Sequence, residues 1–239
     1  MPQLGPYTTD RVIAESERFT VYQASDGRET VALKIATDKR QSGRLARMAQ
    51  LGQTLTDPHA VKVIAAGDGY AALEFVDGPS LRATVLRGAI PPAAAIAIVK
   101  QLCTAIGAAH ALGIVHGRIS PMHLLHGPML RVLPPRYRTG EPAILDPDVA
   151  KYVPPESLRL APVDERTDIW AIGVVLFELV EGYKPFDAES YRELTVKLAV
   201  DPPATSMRMS PTLSLVVSRC LEKRPERRFQ SIAELIAVL

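Results

Sequence analysis

The hydrophobic pattern of this chain changes its period once, and this change restricts the possible folds more than any other feature. The amino-terminal third alternates apolar and polar residues in short β-prone runs, at residues 7–14, 19–24, 30–35, 61–65 and 70–76. Beyond Asp77 to Pro79 the apolar residues recur mainly at helical spacing. We therefore expect an α+β fold with two lobes, a small one at residues 1–77 and a larger, mainly helical one at residues 78–239.

The small lobe is expected to be a five-stranded antiparallel sheet with one helix. Asp26-Gly27 is a hairpin turn signal between the second and third runs. Residues 43–55 carry apolar side chains at roughly helical spacing between the third and fourth runs, and they predict the helix of this lobe.

The larger lobe is expected to contain several long apolar helices. Pro91-Pro92 opens an Ala- and Ile-rich segment that continues to His110, and residues 168–180 and 213–221 show the same helical spacing. Ser231 followed by Glu234 matches the capping box that opens a helix. Short strands are predicted around residues 124–125 and 130–133.

Composition and charge exclude several classes of protein. Of the 239 residues 47% are hydrophobic, which is enough for a core, and 28 basic residues balance 26 acidic ones without forming a block. We therefore expect no nucleic-acid partner and no membrane insertion. Cys103 and Cys220 lie in apolar helical patterns without metal-ligand spacing, which favours buried thiols and a cytoplasmic location.

Several segments resemble, in order and spacing, the motifs of a known family. They are residues 31–34 (V-A-L-K), 73–78 (L-E-F-V-D-G), 113–116 (G-I-V-H), 154–156 (P-P-E), 168–173 (D-I-W-A-I-G) and 220–228 (C-L-E-K-R-P-E-R-R). Together they resemble the eukaryotic-like serine/threonine protein kinases, in particular the bacterial members. The resemblance covers essentially the whole chain and implies the bilobal protein kinase fold. It also implies that Asp168 holds the catalytic loop and that Glu156 pairs with a buried Arg228.

The resemblance implies a nucleotide pocket between the lobes. Lys34 matches the lysine that contacts the α- and β-phosphates. Residues that match the adenine site are Val21 and Ala32 above the purine, Leu125 below it, Leu73 behind it, and Glu74 and Val76 as backbone partners in the hinge. The same apolar residues would make a closed core if Phe19 or Met48 filled the slot.

The residues that perform the chemistry in the family are replaced at most positions. In the pattern H-R-D-x-K-P-x-N the Asp, Lys and Asn positions carry Arg118, Ser120 and His123. The three glycines of the phosphate loop are Ala14, Ser16 and Phe19, with Glu15 and Glu17 between them, so two carboxylates are expected near the phosphates. Met48 takes the place of the glutamate that pairs with the lysine.

The metal-binding D-F-G motif has two alternative registers. If residues 130–133 form the preceding strand, the motif falls on Pro134, Pro135 and Arg136, and no metal carboxylate remains. The segment I-L-D-P-D-V-A at residues 144–150 also resembles the motif and would retain Asp146 as a metal ligand.

These replacements lead to a prediction that the chain is a pseudokinase and not an enzyme. Its function would be that of a scaffold or allosteric binding module in signalling, with a degenerate ATP site, no cofactor and no metal. Its partner would be a protein such as an active kinase or a phosphopeptide-binding protein. The alternative is an unorthodox ATP-dependent serine/threonine kinase or a nucleotide-sensing domain that binds ATP through Lys34 and Asp146. ATP bound without metal is compatible with the alternative, whereas magnesium is not expected.

Overall fold

The amino-terminal part of the protein is an antiparallel sheet. The computed structural model describes residues 3–141 and 147–239. The sheet has the order β1-β2-β3-β4-β6-β5, with strands β1 (Gln3–Leu4), β2 (Tyr7–Glu15), β3 (Phe19–Ser25), β4 (Thr30–Ala36), β5 (Val63–Gly67) and β6 (Tyr70–Glu74). The five predicted strands are all present, and β1 is an additional two-residue strand at the edge.

The turn between β3 and β4 follows from its sequence. Asp26 Oδ1 accepts hydrogen bonds from the backbone nitrogens of Arg28 at 2.9 Å and Glu29 at 3.0 Å. Gly27 has φ +87°, a conformation that glycine adopts without steric cost. The hairpin therefore pairs β3 with β4 in unbroken register from Phe19↔Ala36 to Ser25↔Thr30.

Helix α1 (Lys39–Gly52) of the small lobe packs on the sheet. It begins four residues before the predicted start because the side chain of Asp38 accepts a hydrogen bond from Gln41 N at 2.8 Å and caps the first turn. Leu45 and Ala49, four residues apart on one face, are buried against the sheet.

The rest of the chain is mainly helical. The helices are α2 (Leu81–Val85), α3 (Pro92–His110), α4 (Glu165–Glu181), α5 (Tyr191–Val200), α6 (Pro211–Cys220) and α7 (Ile232–Ile236). Short strands β7 (Ile114–Val115) and β10 (Tyr137–Arg138) pair with each other, as do β8 (Leu124–His126) and β9 (Leu130–Val132). Single turns of 3₁₀ helix occur at Pro121–His123, Pro147–Tyr152, Pro155–Arg159 and Pro225–Arg227.

The core of the larger lobe forms around α3 and α4. Trp170 and Phe177 of α4 are buried within it, and nine residues of α3 are buried. By length and composition α3 is also apolar enough to cross a membrane, yet in this fold it is a core helix.

Helices α2 and α5 were not predicted. Leu194 and Leu198 are the residues of α5 that are buried, and two apolar positions give too weak a period to identify a helix.

Two of the connections between the two parts of the protein involve the backbone. The chain passes from β6 to α2 through residues 75–80, and Pro79 O accepts a hydrogen bond from His126 N at 2.8 Å. The second connection joins the segment before β5 to β9, with Val61 N donating to Val132 O at 2.9 Å and Val132 N to His59 O at 2.7 Å. A cleft lies between the sheet and the helical lobe.

Candidate functional site

The cleft has a volume of about 770 Å³, which is within the range of small-molecule binding sites. Its upper wall comes from β2, β3 and β4 of the sheet, and its lower wall from β8 and the loop that precedes it. The lining includes every residue that the sequence assigned to a nucleotide pocket, namely Val21, Ala32, Lys34, Leu73, Glu74, Val76 and Leu125. The fold therefore brings together residues from four strands and the hinge.

The hinge side of the cleft carries both apolar and charged side chains. Leu73 is buried in β6, and the backbone nitrogen of Glu74 donates to Lys62 O at 2.9 Å within the sheet. The carboxylate of Glu74 pairs with Arg131. Among the described residues, no backbone carbonyl accepts a hydrogen bond from Val76 N, and Val76 lines the cleft.

Lys34 lies at the other end, on β4 opposite Val21 of β3. Its Nζ is 4.5 Å from the centroid of the Phe19 ring, a cation–π contact. Phe19 and Met48 both line the cleft and leave it open. The closed, self-packed arrangement that the sequence also allowed is therefore not the arrangement of the described residues.

The turn between β2 and β3 is closed by Ser16. Ser16 N donates to Phe19 O at 3.0 Å, and Phe19 N donates to Ser16 Oγ at 3.2 Å. Glu15 and Glu17 are exposed and do not line the cleft. The two carboxylates therefore do not form part of the cleft wall, and their effect on a bound phosphate stays a prediction.

Asp168 of α4 supports the loop below the cleft. It is fully buried, and it accepts hydrogen bonds from the backbone nitrogens of His116 and Gly117, both at 2.8 Å. His110 Nε2 lies 2.9 Å from the same carboxylate. This is the scaffold role that the resemblance implied for Asp168.

His116 has a structural role. Its Nε2 lies 2.9 Å from Leu133 O, and its Nδ1 accepts a hydrogen bond from Arg118 N at 3.2 Å, so both ring nitrogens are occupied. Burial lowers the pKa of His116, which favours the neutral ring that this pattern requires.

The replaced catalytic-loop residues do not all reach the cleft. Arg118 and His123 line it, whereas Ser120 is fully buried outside the lining and its Oγ lies 2.8 Å from His123 Nδ1. Burial first, and then the positive charges of Arg118, Lys34 and Arg136, hold the pKa of His123 well below its usual value. The ring is therefore neutral at physiological pH.

Pro134, Pro135 and Arg136 follow β9 directly and line the cleft. Arg136 N donates to His116 O at 3.1 Å, which places this segment beside the catalytic-loop position. The alternative metal ligand, Asp146, lies outside the described residues. In residues 3–141 and 147–239, no group of three or more His, Cys, Asp or Glu residues is arranged to hold a metal ion.

Comparison with known proteins identifies the family. The protein kinase domain model matches residues 149–237. The serine/threonine-protein kinase PknD of Mycobacterium tuberculosis is 31% identical over 258 aligned residues, which cover 98% of this chain and 39% of the relative. PknB of Mycobacterium leprae is 31% identical, with 86% of this chain and 36% of the relative covered. This chain belongs to the bacterial eukaryotic-like protein kinase family. It spans about two fifths of the length of these curated relatives.

This kinase-family membership confirms the predicted fold and corrects one prediction. The relatives are named serine/threonine-protein kinases, which points to an enzyme, so the prediction that the chain is not an enzyme was wrong. That prediction rested on the replaced residues of the phosphate loop, the small-lobe helix, the catalytic loop and the metal motif taken together, and it treated the loss of the metal ligands as decisive. Phosphoryl transfer depends mainly on positioning and on neutralising charge, and cations in the cleft can also neutralise charge. The division at residues 77 and 78 and the nucleotide-binding roles stay predictions.

Two of the cations that line this kinase-family cleft were not predicted from the sequence as part of it. Arg136 was considered only as a position of the metal motif, and Arg44 of α1, one helical turn before Met48, was not considered. The i and i+4 spacing of Arg44 and Met48 was the signal that both belong to the same helix face. For Arg136 the signal was its place in the segment that follows β9.

Proposed function

We propose that this chain is an ATP-dependent serine/threonine protein kinase domain of unorthodox chemistry, with ATP bound between its two lobes. The observation that carries the proposal is the open cleft of about 770 Å³, which is lined by the apolar residues Val21, Ala32, Leu73 and Leu125 together with Lys34. A closed, self-packed interior would have no room for a nucleotide. The names of the relatives support the choice of a serine/threonine kinase over other nucleotide-binding proteins.

Adenine would lie at the hinge end of the cleft. Val21 and Ala32 form the upper wall there, and Leu125 lies on the lower wall. The Val76 N–H would donate a hydrogen bond to a ring nitrogen of the base, and the apolar walls would bury its two faces. The triphosphate would then extend toward Lys34.

Transfer moves the γ-phosphoryl group from ATP to a serine or threonine hydroxyl. The bond from the γ-phosphorus to the bridging oxygen breaks, a bond forms to the hydroxyl oxygen, and ADP leaves. Lys34, Arg118 and Arg136 would stabilise the charge on the phosphoryl oxygens. Since a guanidinium does not accept a proton, the hydroxyl proton passes to the transferred phosphate or to solvent. We therefore expect turnover about 10²- to 10⁴-fold slower than with a positioned base.

The test is phosphate transfer from γ-labelled ATP to the protein itself and to a mixed serine and threonine peptide library. Lys34→Met is expected to abolish both labelling and ATP binding. Lys100→Met is the matched control because Lys100 is an exposed residue of α3 outside the cleft lining, and its labelling is expected to equal that of the unmodified protein. Melting temperatures of both variants show that each remains folded.

Two outcomes would count against the proposal. If calorimetry detects no ATP binding, the proposal fails entirely. If ATP binds and no label is transferred, the enzyme fails and a nucleotide-sensing domain remains. That second candidate is favoured by Arg118, which occupies the position of the proton acceptor and cannot act as one.

We also propose a cytoplasmic location, where ATP is available and thiols stay reduced. Cys103 and Cys220 are buried free thiols, and burial raises the pKa of Cys103 to about 12. A protein partner, such as another kinase or a phosphopeptide-binding protein, stays a prediction. Pull-down with the folded domain, compared with the Lys34→Met variant, would show whether such an interaction depends on the nucleotide site.

A further inference from the structure

Helix α1 contacts the larger lobe as well as the sheet. Leu51, which is fully buried in the last turn of α1, packs with Ala109 of α3 and Ile114 of β7. The next residue, Gly52, lies so close to the segment after β9 that a Cβ on it would be 3.0 Å from Pro134 Cβ. The carboxyl end of α1 is therefore held between the two lobes.

An ion pair joins the middle of α1 to the larger lobe. Arg47 Nη2 contacts Glu141 Oε1, although 94 residues separate the two in sequence. The other carboxylate oxygen of Glu141 accepts a hydrogen bond from Arg138 N at 3.2 Å, and the backbone oxygen of Glu141 accepts one from Val163 N at 2.8 Å. Because Glu141 is already fixed by the larger lobe, forming the pair orders mainly the Arg47 side chain, and this lowers its entropic cost.

The position of α1 determines part of the cleft wall. Leu45 and Met48, which lie on either side of Arg47 in sequence, both line the cleft. In protein kinases an ion pair between the strand lysine and a glutamate of the corresponding helix must be in place for transfer. Met48 takes the place of that glutamate, and a thioether forms no ion pair with Lys34. Other contacts of α1 must therefore set the position of this wall.

We propose that Arg47 and Glu141 are positioning residues of the cleft, and that their ion pair holds α1 against the larger lobe in place of the missing lysine–glutamate pair. Neither residue lines the cleft, so both act through α1 and through the side chains of Leu45 and Met48. The consequence for ATP rests on the proposed function, whereas the effect of the pair on α1 is measured without nucleotide.

Hydrogen–deuterium exchange of the α1 backbone amides, measured on the whole domain without nucleotide, tests the pair. Glu141→Gln removes the charge and keeps an oxygen that can accept from Arg138 N. We expect exchange in α1 to become about two- to fivefold faster, the effect of losing a partly exposed ion pair, while exchange in α4 stays the same. The side chains of the pair are 38% and 34% exposed, so added NaCl should speed exchange in the unmodified protein and have little effect on Glu141→Gln.

Further variants separate the ion pair from a general loss of stability. Arg47→Met should speed exchange in α1 as much as Glu141→Gln does, and Arg47→Lys, which keeps the charge, should speed it less. The double variant Arg47→Met with Glu141→Gln should exchange no faster than either single variant, because both remove the same interaction. Arg40→Gln is the matched control, since Arg40 is an exposed arginine of α1 outside the cleft lining, and its exchange should equal that of the unmodified protein.

Addition of ATP separates this inference from the proposed function. ATP that binds the cleft favours the position of α1 that completes the wall, so it should slow exchange in α1. Unchanged exchange in Glu141→Gln, or additive effects in the double variant, would overturn the role of the pair and leave the ATP site intact. If ATP binds by calorimetry and exchange in α1 does not slow, the positioning role is wrong. If ATP does not bind, the proposed function fails, and faster exchange in Glu141→Gln would still support the pair as the contact that holds α1.

Discussion

The carboxylate of Asp168 and the backbone nitrogen of His116 lie 2.8 Å apart in the interior of the larger lobe, although 52 residues separate them in sequence. The second oxygen of Asp168 accepts a hydrogen bond from Gly117 N at the same distance. Helix α4 is thereby joined to the loop that carries Arg118 and His123 into the cleft. The position of these two side chains depends on a residue that does not contact the cleft itself.

Replacement of Asp168 should therefore affect both stability and the site. Asp168→Ala leaves two buried N–H groups without an acceptor, so we expect the free energy of unfolding to fall by about 3 to 5 kcal/mol. Asp168→Asn retains an acceptor oxygen and should lose less. Urea denaturation followed by fluorescence of Trp170 measures both changes. Asp10→Ala, at an exposed position of β2, is the control, and equal losses at Asp10 and Asp168 would contradict the supporting role.

Much of this fold could be predicted from local sequence signals. Helices α3 and α4 carry long apolar periods, and the turn at Asp26-Gly27 contains its own hydrogen-bonding groups. The extent of the cleft could not be predicted, because it depends on how Phe19 and Met48 pack after the two lobes meet. That Lys34, Arg118 and Arg136 line the same cleft escaped prediction for the same reason. These three residues come from separate elements, and sequence spacing carries no information on the distance between them.

Glu156 and Arg228 form a buried ion pair that should be strongly coupled. Arg228 Nη1 and Nη2 donate to the two carboxylate oxygens at 2.6 and 2.8 Å, and Arg228 is 1% exposed. Glu156→Gln leaves a buried guanidinium without its counter-charge, and we expect a loss of about 3 to 5 kcal/mol. Arg228→Met should also destabilise the protein.

The double variant Glu156→Gln with Arg228→Met is the informative measurement. It should lose less stability than the sum of the two single variants, since the second change removes the charge that the first leaves unpaired. Denaturation of all four proteins gives the coupling energy. Strict additivity would show that the pair contributes no specific interaction.

Two helical glycines should respond in opposite directions to the same substitution. A Cβ on Gly173 of α4 would lie 2.5 Å from Cys220 Cβ, too close for either helix to remain in place, whereas a Cβ on Gly43 of α1 would meet nothing within 4 Å. We expect Gly173→Ala to cost about 1 to 3 kcal/mol through overpacking. Gly43→Ala should add about 0.5 to 1 kcal/mol, because alanine loses less backbone entropy than glycine. Thermal denaturation measures both, and a stabilising Gly173→Ala would refute the close approach of α4 and α6.

Lys223 should make stability depend on pH in the alkaline range. Its Nζ lies 3.9 Å from the centroid of the Phe186 ring and 5.3 Å from that of Trp170. Burial, which outweighs the opposing effect of Asp201, lowers its pKa to about 8. Between this value and the unfolded pKa of about 10.4, the unfolded chain binds more protons than the folded one, so the free energy of unfolding rises with pH.

The contribution of Lys223 can be isolated by comparison with a Lys223→Met variant. The stability of the unmodified protein relative to this variant should increase by about 1 to 2 kcal/mol from pH 7.5 to pH 10, a value reduced for solvent screening of a half-buried group. Denaturation of both proteins at several pH values measures this difference in stability. Groups that the two proteins share titrate alike in both, so their contributions cancel. Lys100→Met, at an exposed position of α3, should show no such change. If the stability of the unmodified protein relative to Lys223→Met does not change with pH, the ammonium group of Lys223 is stabilised between the two rings as well as it is in water.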